Sequence, residues 1–121
     1  MRFDRFTHQL QTAVSDAQSL AVGGDQSQIE PVHLLSALLD QSGGSLQPLL
    51  QNSGFDIGAL RSDVANALEA LPKLSAPTGE VTLSSALGRL LNLADKHAQQ
   101  NGDSYIATEA LVLAARILLS L

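Results

Sequence analysis

From Phe6 onward the apolar positions fall at Phe6, Leu10, Val14, Ala17 and Ala21, with Gln9, Gln11, Ser15, Asp16 and Gln18 set against them. That three-and-four spacing predicts an amphipathic helix, which Thr7 can cap and Gly23-Gly24 can end. A polar loop, "DQSQ", leads into "IEPVHLLSALLDQ". Here Pro31 suits a first helical turn, where the missing N–H has no intrahelical partner to lose, and Gly43-Gly44 closes the helix. "SLQPLLQNSG" reads as a short apolar turn. Beyond Asp56 the residues Ile57, Leu60, Val64, Leu68 and Leu71 repeat the helical spacing until Pro72 stops it. The stretch "PKLSAPTGE" has two prolines, a glycine and no period, and predicts a surface linker over about residues 72–82.

The residues on the far side of this linker repeat those on the near side. At an offset of 77 and without a gap, Leu10 meets Leu87, Val14 meets Leu91, Ala17 meets Ala94, Ala21 meets Ala98, Ile29 meets Ile106, Leu34 meets Leu111 and Ala37 meets Ala114, while Thr7 meets Ser84, cap on cap. Seven identities over Phe6 to Leu39 exceed the roughly three expected by chance in so Leu- and Ala-rich a chain. Their position matters more, because they fall on the apolar stripe and at the loop-to-helix joint. The expected fold is therefore all-α: two pseudo-repeated helix–loop–helix units sharing one core in a single domain, the first over about 4–71 and a partial second over about 83–121. The last helix, carrying Ile117, Leu118, Leu119 and Leu121, lacks the sequence that covers its counterpart. The expectation is a front portion of a longer polypeptide, with the second repeat truncated.

Composition narrows the function. Seven basic against 12 acidic residues give a net charge of −5 in 121 residues, which offers no face for neutralising phosphates and argues against nucleic acid. The absence of cysteine removes disulfides, thiolate nucleophiles and sulfur-held metals, and suits a reducing compartment. With no apolar run near the ~20 residues that span a bilayer, and an N-terminus charged from its second residue, a cytoplasmic protein is expected.

Candidate chemistry is sparse. His8, His33 and His97 share no i, i+3 or i, i+4 spacing, so no metal site forms on one helix face, and His33 reads as a partly buried helix residue. The Gly-Gly pairs lack the Lys-Ser/Thr of a phosphate-cradling loop, and no nucleophile accompanies the carboxylates. No catalytic site or cofactor is expected in this chain. One loop stands out: "NGDSYIATEAL" sets Asp103, Tyr105 and Glu109 around a predicted helix start. Local capping explains these residues as well as ligand binding does.

The segments "MRFDRFT", "AQSLA", "IEPVHLLSALLDQSGGS", "PLL", "LNLADKHAQ" and "GDSYIATE" resemble, in order and spacing over essentially the whole chain, the N-terminal domains of Clp ATPases, in particular those of ClpB-type protein disaggregases. The resemblance implies a non-catalytic module tethered to two ATP-hydrolysing rings of a hexamer. ATP and Mg belong to those rings, and the stress-response DnaK chaperone system is a partner of other regions. It implies capture of unfolded or aggregated polypeptide, with Thr7, Asp103 and Glu109 as substrate-handling positions and Leu91, Leu93, His97 and Ala110 as an apolar groove. Leucine is the family-like residue at the last two, so the groove here should be shallower and more polar. Two other roles fit the same resemblance: docking a folded adaptor, or covering the pore as a regulator. The isolated chain is expected to be a monomer.

Overall fold

The computed structural model describes residues 3–44, 46–54 and 56–108. A single 3₁₀ turn (Phe3–Arg5) precedes α1 (His8–Gly23), β1 (Gln28–Ile29), α2 (Pro31–Asp40), α3 (Leu46–Asn52), α4 (Ile57–Glu69), β2 (Thr82–Leu83) and α5 (Ser85–Gln100). The fold is all-α apart from the short pairing of β1 with β2. "SLQPLLQNSG", expected as a turn, instead carries the two turns of α3, whose Leu46 is buried in the core. The expected final helix lies outside the described residues.

The helices begin and end as their side chains dictate. Thr7 Oγ1 accepts the Leu10 N–H at 3.3 Å, and Ser84 Oγ accepts the Leu87 N–H at 3.0 Å. Each hydroxyl satisfies a donor that the first turn leaves free. Asp56 does the same for Ala59 at 3.2 Å. At the far end the 77-residue offset holds bond for bond: Gly24 N to Leu20 O and Gln26 N to Ala21 O, then Asn101 N to His97 O and Asp103 N to Ala98 O. The left-handed position of this shared ending is Asp25 in the first copy (φ 60°) and Gly102 in the second (φ 74°). Gly23 and Gly24 therefore end α1 without supplying its left-handed residue. An aspartate tolerates that region better than most side chains because its short carboxylate bonds locally.

The two copies are joined by exchange. Parallel pairing sets Ile29 beside Leu83, and a parallel bridge sets Phe6 beside Ile106. Since Leu83 is the counterpart of Phe6 and Ile106 that of Ile29, each copy's pre-helical segment pairs with the other copy's inter-helical segment. The bonds match accordingly: Thr7 N to Ile106 O at 3.0 Å, and Ser84 N to Ile29 O at 3.1 Å. Phe6, just ahead of the Thr7 cap, is held in this pairing.

Between these seams runs one core. On α1 the buried positions are Leu10, Ala13, Ala17 and Ala21, and on α5 Leu87, Leu90, Leu91, Ala94 and Ala98. The alanines permit close approach of α1 to α2, while Leu34, Leu38 and Leu39 fill the space between helices. Val14, expected on the buried stripe, is only half-buried. Ala13 is fully buried in its stead, and Val14 packs against the core from its edge. Arg61 holds α4 to the end of α2, pairing with the Asp40 carboxylate at 2.6 Å and donating to Leu39 O at 2.6 Å.

His33 closes the start of α2. Its Nδ1 accepts the Glu30 N–H at 2.8 Å, which leaves the proton on Nε2, 3.1 Å from Gln26 Oε1. The ring is 1% exposed. The Gln26 side chain reaches it across Gly24, where any Cβ would collide with the Gln26 carboxamide.

Candidate functional site

Five of the seven sequence-predicted binding residues fall within the described part of the chain; Glu109 and Ala110 lie outside it. Thr7 and Asp103 come together because the Phe6–Ile106 bridge carries the N-terminal segment onto the loop after α5. Arg5 fastens this junction at three points. Its guanidinium pairs with Asp95 on α5 and donates to Asp103 O at 3.4 Å, while its own carbonyl accepts the Ile106 N–H at 2.7 Å. Asp95 also accepts from Gln99 at 3.1 Å. The Asp103 carboxylate and the Tyr105 ring face solvent, Tyr105 at 59% exposure. The junction is thus an exposed acidic and aromatic loop on a hydrogen-bonded base. Nothing in the sequence foretold Arg5, whose partner stands 90 residues away.

The residues expected to form the apolar groove separate. Leu91 is 0% exposed. It follows Leu87 by one helical turn on the buried stripe of α5, so it belongs to the core and offers no surface, a correction to the sequence reading. Leu93 and His97, four residues apart, are half-buried along one flank of that stripe. Asp95 and Arg5 stand on the other flank. At about 100° of turn per residue, Leu93 and Asp95 lie roughly 100° to either side of Ala94. The described residues therefore present two patches on opposite flanks of α5, one polar around Thr7 and Asp103 and one apolar around Leu93 and His97. Among the described residues no cluster of His, Asp or Glu is suited to a metal ion, and no helix is long and apolar enough to cross a membrane.

The exchanged pairing of two capped helical copies defines a class. The family of Clp repeat N-terminal domains matches residues 5–117, and the chain belongs to it. Within that family it is similar to ClpB chaperones. It is 58% identical over 115 residues to chaperone protein ClpB of Pseudomonas putida, covering 95% of this chain and 14% of that protein. The chain thus spans about one-seventh of the length of such relatives. Solved structures agree: the Hsp104 N-terminal domain of Candida albicans has a TM-score of 0.82 at 29% identity, with 90% of this chain and 71% of that one covered. The N-terminal domain of the ClpV1 ATPase of E. coli has a TM-score of 0.86 at 27% identity, covering 93% and 68%.

Proposed function

We propose that this domain captures unfolded or aggregated polypeptide weakly and hands it to the ATPase rings of a ClpB-type disaggregase, using Thr7, Leu93, His97, Asp103, Glu109 and Ala110. The observation that carries this reading is the junction of Thr7 with the Asp103 loop, together with the half-buried Leu93 and His97 on the other flank of α5, in a chain 58% identical to a ClpB chaperone. An unfolded segment brings apolar side chains, each Å² of which gains on the order of 25 cal/mol when covered. Ordering a flexible segment offsets much of that gain. Weak, fast-exchanging capture suits a hand-over step, and several copies on one hexamer raise the effective concentration of sites. The exposed Asp103 and the net charge of −5 favour segments with Lys or Arg beside apolar residues.

An NMR titration with a permanently unfolded, mildly basic polypeptide, and with its folded form as control, tests the reading. The expected outcome is shifts of Thr7, Leu93, His97, Asp103, Glu109 and Ala110 with the unfolded chain alone, weakening as salt rises to physiological strength. A response to neither ligand would favour adaptor docking or a pore cover instead.

A further inference from the structure

Arg5 touches two aspartates and gives its charge to only one of them. Its guanidinium pairs with the carboxylate of Asp95 on α5, while its second amino group meets Asp103 at the backbone, 3.4 Å from the carbonyl oxygen. The Asp103 carboxylate takes no part in this contact: it is exposed, with no hydrogen bond or ion pair among the described residues. That division is set on α5. One helical turn beyond Asp95, Gln99 donates to the same carboxylate oxygen at 3.1 Å and steadies it towards Arg5. The two side chains of the pair are 20% and 25% exposed, so solvent screens their attraction less than at an open surface. The loop is therefore anchored by a cation that leaves the loop's own acid uncompensated.

We infer that Asp95 sets the charge preference of the capture site: by holding Arg5 it keeps the Asp103 carboxylate free for a lysine or arginine of the bound segment. Were Asp95 uncharged, Arg5 would turn to Asp103. A guanidinium already on the Asp103 carbonyl is a side-chain rotation from the carboxylate of the same residue, and a charge-assisted, forked pair there is stronger than a single bond to a carbonyl. Such a pair would cancel the charge by which the loop selects basic segments. Asp95 acts through Arg5 and touches no ligand, which makes it a positioning residue. The inference rests on the capture role proposed above and adds to it the residue that decides which segments the polar patch prefers.

Asp95→Asn supplies the test, since it keeps the oxygen that Gln99 bonds and nearly the same shape while removing the charge. The probe is the permanently unfolded, mildly basic polypeptide of the capture titration, followed by amide NMR on the 121-residue chain at physiological salt. In Asp95→Asn the affinity read at Thr7, Asp103 and Tyr105 should fall about fivefold, with Leu93 and His97 responding as in the parent. Removing Arg5 as well should restore it, so that Arg5→Gln/Asp95→Asn binds within about twofold of the parent at the same positions. A clasp that merely supports the loop predicts a double variant no better than Asp95→Asn, and that result overturns the inference. Asp16→Asn changes the net charge equally from an exposed position on α1, and an equal loss there overturns it too. The movement itself should appear in Asp95→Asn as nuclear Overhauser contacts between the Arg5 side chain and the Asp103 β-protons; contacts with Asp4 in their place overturn it. Binding by the parent at these positions with every variant unchanged removes this inference and leaves the proposed function standing. No response of the parent anywhere removes both.

Discussion

His33 shows how one buried ring couples sequence to pH. It was legible as a partly buried helix residue; its role in tying Glu30 and Gln26 together was not, because both contacts depend on how the chain turns after α1. Burial lowers its pKa and outweighs the nearby Glu30 carboxylate, which pulls the other way. The ordinary value, 6.5, applies to the unfolded chain, which therefore takes up a proton at higher pH than the folded one does. Stability is fully present above that value and is lost as pH falls through it towards the lower folded value. Protonating Nδ1 also removes the acceptor for the Glu30 N–H. The urea midpoint should thus fall between about pH 7.5 and pH 5.5. In His33→Gln, which keeps an acceptor but does not titrate, the fall should be smaller; an unchanged fall would assign it to other groups.

At the scale of the element, the apolar period found the boundaries of α1, α2, α4 and α5 within a few residues, missed α3, and misjudged which side some positions turn. Caps Thr7 and Ser84 were readable because a hydroxyl before an apolar period has one efficient use; that of Asp56 was not read. The strands were not, since two residues of pairing leave no alternation to detect. Nor could spacing alone separate Leu91 from Leu93, which differ by half a turn and by their place relative to the core. Substitution separates them. Leu91→Ala should destabilise the domain by about 2–5 kcal/mol, as a fully buried leucine does when its cavity cannot collapse. Leu93→Ser should cost much less and instead weaken capture of unfolded polypeptide. Denaturation and binding measured on both variants check this: comparable stability losses would place Leu93 in the core as well.

For the whole molecule, the duplication was visible in the sequence as seven identities, but the exchange between its copies was not, because pairing across 54 and 100 residues leaves no local trace. Neither copy completes its own seam. Phe6 is 1% exposed beneath Ile106, and Ile29 is 5% exposed beside Leu83, so each half relies on the other to cover it. Denaturant unfolding should accordingly be one transition, superimposable by circular dichroism and by the fluorescence of Tyr105, the chain's one tyrosine, at the second-copy end of a seam. Two separated transitions would show that the copies fold independently. The same exchange sets a timetable during synthesis. Phe6 emerges 100 residues before the isoleucine that shelters it, which at ribosomal rates of about 5–20 residues per second is a delay of roughly 5–20 s. Through that interval the nascent N-terminal half displays an uncovered apolar edge, the very feature its finished form is proposed to seek in other chains.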